Sequence, residues 1–115
     1  MLVHNNCSET VYEKEKSYES ARNTLMNELY NNSDALKNGS LPYEGRLGTS
    51  YGYNKIIGRQ SFDGKVRWRL DYDPNKGVHF NIEDFSKGKG NNAVKIAIPI
   101  DISYDEYVRI IDSWN

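Results

Sequence analysis

Two segments of this chain alternate strictly between apolar and polar residues, the period-two pattern of a strand with one buried face. The first is Lys65-Val66-Arg67-Trp68-Arg69-Leu70-Asp71-Tyr72-Asp73. The second, after Pro74-Asn75-Lys76-Gly77, is Val78-His79-Phe80-Asn81-Ile82-Glu83. Val66, Trp68, Leu70 and Tyr72 fall on one face, with Val78, Phe80 and Ile82 on the matching face of the second segment. The opposite face collects Arg67, Arg69, Asp71, His79, Asn81 and Glu83. A solvated sheet face normally carries scattered Lys, Thr and Ser. This one concentrates two guanidiniums, two carboxylates and an imidazole.

If Asp73 pairs with Gly77 around a three-residue loop, Asp71 stands opposite His79, Arg69 opposite Asn81 and Arg67 opposite Glu83. Directly opposed residues hold their Cβ atoms about 4.5–5.5 Å apart, close enough to interact. An aspartate beside a histidine fixes its tautomer and raises its basicity, which prepares proton transfer near neutral pH. Arg67 and Arg69 supply fixed positive charge for a phosphate. The competing reading is a solvated face of cross-strand ion pairs, each contributing little. A one-residue slip in pairing would send the whole set to the other side of the sheet.

The 115 residues make one domain with a real core and no room for two. Charged residues at 27% and hydrophobic residues at 37%, with nine tyrosines, describe an aromatic-rich globule and not a disordered chain. No apolar run approaches the roughly 18 residues of a membrane span, and no signal peptide is recognisable. The single cysteine, Cys7, precludes an internal disulfide framework. No Cys/His cluster has zinc spacing and no acidic calcium loop occurs, so neither a metal nor another cofactor is expected. Residues 51–90 carry eight Lys/Arg against five Asp/Glu within a chain of net charge −1. A locally basic region of this kind suits contact with a polyanion.

Residues 1–8 read as a polar linker or junction, and 9–115 as the domain. From Glu9 to Asn31, Val11, Tyr18, Ala21, Leu25, Met26 and Leu29 recur mostly at three- and four-residue steps, which predicts an amphipathic helix capped by Ser8 or Thr10. A short second helix is expected from Ser33 to Lys37, stopped by Asn38-Gly39. Ser40 to Tyr53, rich in Gly, Tyr and hydroxyls, reads as irregular backbone. Strands are expected over Lys55–Ser61, Lys65–Asp73, Val78–Glu83 and Ala93–Ile100, the last with Val94, Ile96, Ile98 and Ile100 facing the core and Lys95 facing away. A helix from Ile102 to Trp114 closes the chain. The expected fold is α+β: N-terminal helices packed on a four-stranded antiparallel sheet with a C-terminal helix. A two-residue turn at Asp63-Gly64 brings Gln60 to the polar face, whereas a longer or bulged turn brings Arg59. Lys87-Gly88-Lys89-Gly90 lacks the spacing of a nucleotide-binding loop and reads as a basic turn able to touch backbone phosphate. Tyr53, on the loop entering the sheet, is a candidate for base stacking.

The opening Met1-Leu2-Val3-His4-Asn5-Asn6-Cys7 resembles the Leu-Val-His-Asn junction that ends the pretoxin or Hint-type segment of bacterial polymorphic toxins, among them Rhs, wall-associated YD-repeat and contact-dependent-inhibition proteins. Gly58-Arg59, the run Gly64 to Asp73, Lys76 to Phe85, Gly88-Lys89-Gly90 and Lys95 to Pro99 are similar to the C-terminal toxin domains of LXG and wall-associated proteins, several of which are ribonucleases. The similarity spans about residues 53–114 plus the junction; Glu9 to Gly52 carries none of it.

The resemblance implies a metal-independent ribonuclease with a helical N-terminal part on a curved antiparallel sheet, of the BECR or RNase-toxin type. It implies a cognate immunity protein as partner, RNA (in these families tRNA) as substrate, and release as part of a larger secreted or surface protein acting in the target-cell cytoplasm. The residue roles come from the polar face. His79 oriented by Asp71 is the acid/base, Arg67 and Arg69 stabilise the phosphorane, and Glu83 either transfers the second proton or neutralises Arg67. Arg59, Lys95, Tyr53, Lys87 and Lys89 are candidates for binding substrate. Two other classes stand beside this one. A metal-dependent DNase would use Asp71, His79 and Glu83 as ligands, and a binding module would hold nucleic acid or protein without chemistry.

Overall fold

The Asp73 carboxylate organises the turn that joins the two alternating segments. Its Oδ1 accepts the backbone N–H groups of Asn75 and Lys76 at 2.8 and 2.7 Å, and Gly77 takes the left-handed conformation (φ 67°) that closes the turn. The structure is a computed structural model that describes residues 2–5, 9–32 and 34–115. Along the chain these form β1 (Leu2–Asn5), β2 (Thr10–Tyr12), α1 (Tyr18–Asn32), β3 (Leu41–Glu44), β4 (Ile56–Gln60), β5 (Val66–Asp73), β6 (Gly77–Asp84), β7 (Val94–Pro99) and α2 (Tyr104–Ser113). All the strands join one sheet in the order β1-β2-β7-β6-β5-β4-β3. Every neighbouring pair is antiparallel except β2 and β7, which run parallel.

The expected four-stranded antiparallel sheet with N-terminal helices is therefore overturned. The sheet has seven strands and mixed polarity, and a single α-helix precedes β3 among the described residues. The four expected strands exist as β4 to β7, but the sheet continues on both sides of them. On one side, Thr10 and Val11 pair with Ile96 and Ala97. Beyond that, the Glu15 N–H donates to the Pro99 carbonyl and the Asp101 N–H donates to the Glu15 carbonyl, both at 2.8 Å. Pairing with β7 thus captures the stretch read as the first turns of a helix, and tertiary hydrogen bonding overrides local propensity. The helix begins at Tyr18, where Ser17 Oγ accepts the Ser20 N–H at 3.1 Å. Ser8, one of the two expected caps, lies outside the described residues, and Thr10 is in a strand.

On the other side, β3 forms within the stretch read as irregular. Pro42 is tolerated there because β3 is the outermost strand. The short helix expected from Ser33 is not formed over residues 34–38, which turn through the Lys37 N–H to Asp34 carbonyl bond; Ser33 itself is outside the described residues. The segment taken for a linker contributes Leu2–Asn5 to the sheet, while Cys7 is not among the described residues.

Ala21, Leu25 and Leu29, four residues apart on α1, are buried against the apolar face of the sheet with Leu70, Phe80, Ile82, Ile96 and Ile98. Trp68 stacks edgewise on Phe80 (5.7 Å between centroids) and on Trp114 at the end of α2 (5.8 Å). Val94, expected in the core, is 47% exposed at the first position of its strand. Ser103 caps α2 by accepting the Glu106 N–H at 3.1 Å, a contact that contributes about 1 kcal/mol. Both helices thus cover one face of the sheet, and the other face carries the charged residues of β5 and β6.

Candidate functional site

The pairing of β5 with β6 opposes Asp73 to Gly77, Asp71 to His79, Arg69 to Asn81 and Arg67 to Glu83. The charged residues of the uncovered face therefore lie in one patch, but their contacts differ from those expected. Arg67 Nε donates to Glu83 Oε1 at 2.7 Å, and Arg69 Nη1 donates to the same oxygen. Arg69 Nε donates to Asp71 Oδ2 at 2.5 Å, and Asn81 Nδ2 donates to that oxygen at 2.7 Å. Asp71 is thereby occupied and does not orient His79. A guanidinium is always charged and reaches two residues along its own strand, so its charge-assisted bond prevails over one to an imidazole. His79 instead has Nδ1 2.9 Å from the Gly77 carbonyl oxygen, which can only accept, so Nδ1 carries a proton. Its Nε2 lies 3.8 Å from Asp73 Oδ2. The ring is 2% exposed.

Charge on this face is held firmly. Burial pushes the Glu83 carboxyl up, but the bonds and charges of Arg67 and Arg69 outweigh it and hold Glu83 below the usual range. For Arg69, burial opposes the charge, yet Asp71 and Glu83 raise its pKa further. Asp73 is likewise pushed up by burial, then brought below normal by the Lys76 N–H, the His79 charge and the Asn75 N–H. Because the folded-state pKa of Glu83 lies under its ordinary 4.5, its contribution to stability is present above pH 4.5 and is lost as pH falls through the folded value. The expected result is a urea midpoint that is level from pH 7 to about 5 and declines below that, with a smaller decline in Glu83→Gln. Equal acid sensitivity in the two proteins would contradict this assignment.

The patch forms the floor of a cavity of about 430 Å³. Tyr43, on β3, stands at its side, and the Arg67 guanidinium lies 5.1 Å from the Tyr43 ring and 5.1 Å from the Phe85 ring. At the turn end, Lys76 and Glu9 form an ion pair at 3.1 Å. Arg46, Leu47 and Ser50 line it from the loop after β3. That loop is anchored by the Gly45 N–H to the Lys55 carbonyl and by the Asn54 N–H to the Gly45 carbonyl, at 3.0 and 2.9 Å. Ile57, the unpaired residue of a bulge between β3 and β4, packs against Gly45 and Gly52. The cations lining the cavity, Arg46, Arg67, Arg69 and Lys76, are matched by Glu9, Asp71, Asp73 and Glu83. The regional excess of positive charge therefore falls outside this floor.

Of the remaining candidates, Arg59 is on the helix-covered face. It pairs with Trp68, and its Nε donates to Ser40 Oγ at 2.8 Å. Gln60 takes the place opposite Arg67, the register of an Asp63-Gly64 turn, although the hairpin closes further out through the Ser61 N–H to Val66 carbonyl bond. Lys95 stands across from Glu83 on β7. Tyr53 lines a neighbouring hollow, Lys89 lines another, and Lys87 is exposed on the turn beside it. Sequence reasoning missed Tyr43, Arg46, Glu9, Lys76 and Asp73. Tyr43 becomes visible only once β3 is recognised, and Glu9 only once β2 is placed on β7.

Asp71, His79 and Glu83 do not form a metal site, and among the described residues no three His, Cys, Asp or Glu side chains gather to hold an ion. Both carboxylates of that set are tied to Arg69. No helix among the described residues is long and apolar enough to cross a membrane. No protein-family model matches the chain, and no curated protein sequence is significantly similar to it.

Proposed function

We propose that this domain is the effector of a bacterial polymorphic toxin, a metal-independent endoribonuclease whose reaction surface is the open face of β5 and β6. The observation that carries the reading is the Glu83 side chain held between Arg67 and Arg69 on the floor of an open cavity. Cleavage of RNA through its own 2′-hydroxyl needs a group to take that proton, cations around the pentavalent phosphorane and an acid for the leaving 5′ oxygen. Glu83 is the base. In the free protein its guanidinium partners depress its basicity, but an arriving phosphate draws Arg67 and Arg69 toward itself and restores it. The two arginines then stabilise the phosphorane, each contributing a few kcal/mol. His79 is the acid: with Nδ1 committed to Gly77, Nε2 is the position that exchanges its proton.

The toxin reading brings with it delivery as part of a larger secreted or surface protein, action in a target cell's cytoplasm, tRNA as the RNA cut, and an immunity protein that blocks the cavity. The near balance of charge on the floor means that such an inhibitor must match an alternating pattern of signs and not merely be acidic. The test is a digest of total RNA and of plasmid DNA by the purified domain, with and without EDTA. Cleavage of RNA alone, insensitive to EDTA and leaving cyclic phosphate ends, is the expected result. Cleavage of DNA that EDTA abolishes would establish the metal-dependent DNase instead. No cleavage of either at high protein concentration would leave a binding module.

A further inference from the structure

We propose that the substrate strand is single-stranded and lies across three adjoining hollows, with a nucleobase on Tyr53 in one and a flanking phosphate on Lys65 and Lys89 in another. The proposal rests on the ribonuclease reading of the middle hollow, and it concerns the path of the strand on either side. A hollow of about 460 Å³ shares Tyr43, Gly45 and Arg46 with the central cavity and is also lined by Tyr53, Asn54 and Gln60. Tyr53 is 47% exposed. Asn54 is fixed at φ 60° by its N–H bond to the Gly45 carbonyl, so its amide is presented from a set backbone. A half-exposed ring with two neutral amides suits a base, which stacks and offers donors and acceptors at its edge, and Glu44 in the same hollow is offset by Arg46.

A third hollow, about 600 Å³, shares Arg67 with the central cavity and carries Lys65 and Lys89. Its one carboxylate, Asp63, is engaged by Ser61 Oγ at 2.6 Å and the Lys65 N–H at 3.0 Å. Lys89 has no ion pair among the described residues. The hollow at Tyr53 sets Glu44 against Arg46, the central cavity is likewise balanced, and the hollow at Lys65 and Lys89 is net positive. A duplex keeps its bases stacked and paired and offers none to Tyr53, whereas a single strand can splay one out.

The test uses the full chain and a fluorescent, uncleavable 2′-O-methyl RNA of about eight nucleotides, single-stranded or annealed to its complement. Anisotropy should show the single strand bound at least about tenfold more tightly than the duplex. Tyr53→Ala should weaken single-strand binding about tenfold, and Tyr53→Phe should restore it. Lys65→Ala with Lys89→Ala should flatten the dependence of log K on log salt by about 1.4, the loss of two phosphate contacts on a single strand. Equal affinity for duplex, no binding of either probe, or variants that bind as the parent does would overturn the proposal. Binding as described by a domain that never cuts ordinary RNA would uphold the path and remove the ribonuclease reading. Cutting by variants that bind as the parent does would do the reverse.

Discussion

Glu83→Gln is expected to lower RNA cleavage by about 10²–10⁴-fold, the range for losing a positioned general base. Gln keeps the shape and one acceptor oxygen for the guanidiniums, so the change removes charge and basicity more than packing. It also leaves Arg67 and Arg69 without their shared counter-ion, at a cost of about 1–3 kcal/mol for side chains that are only partly exposed. Circular dichroism and a urea midpoint separate that cost from the catalytic one. Single-turnover rates at saturating RNA isolate the chemical step, and the low-pH limb of the parent's rate profile should disappear in the variant. A variant that cuts at the parental rate would mean that Glu83 only neutralises its arginine neighbours, and the base would have to be sought elsewhere.

Gly58→Ala is expected to cost more than about 4 kcal/mol, or to prevent folding altogether. Gly58 sits on β4 opposite Arg69, and a Cβ there would lie 1.8 Å from the Trp68 carbonyl oxygen and 2.7 Å from the Arg69 Cα. Both obstacles are backbone, so no side-chain rotation relieves them. The two strands would have to part at the centre of the sheet, which carries Arg69 away from Glu83 and loosens Trp68 from its aromatic neighbours. Thermal melting should show a fall of more than about 15 °C, or no cooperative transition. Gly48→Ala is the matched control. Nothing lies within 4 Å of its added methyl, so its melting should stay within about 0.5 kcal/mol of the parent. A Gly58→Ala protein as stable as the parent would show that the β4–β5 spacing is not as described.

How far the sequence could be read depended on whether a residue's environment is decided by near neighbours. The β5–β6 hairpin was legible because alternation, the Asp73 turn and Gly77 all specify the same pairing, and the Arg67–Glu83 opposition followed from it. The role of Asp71 was not, because it depends on which of two partners wins, and a permanently charged guanidinium on the same strand outcompetes an imidazole across the ladder. The helix was read too long because Glu9 to Lys16 has no strong preference of its own, and the open edge of β7, far along the chain, decides its conformation. β3 was invisible for a similar reason. A four-residue strand containing Pro42 carries no periodic signal, and only the pairing of Tyr43 with Gly58 makes it a strand. The side of the cavity that Tyr43 supplies was lost with it.

The apolar and charged residues of β5 and β6 occupy alternate positions on the same two threads. Trp68 lies between Arg67 and Arg69, and Ile82 lies next to Glu83. The charged groups therefore cannot drift without disturbing the oily layer behind them, and a single residue inserted within either strand would exchange front for back beyond it. Such a weave leaves the flanking hollows and the loops around them as the parts freest to vary. The central face can change only as far as the apolar layer behind it allows.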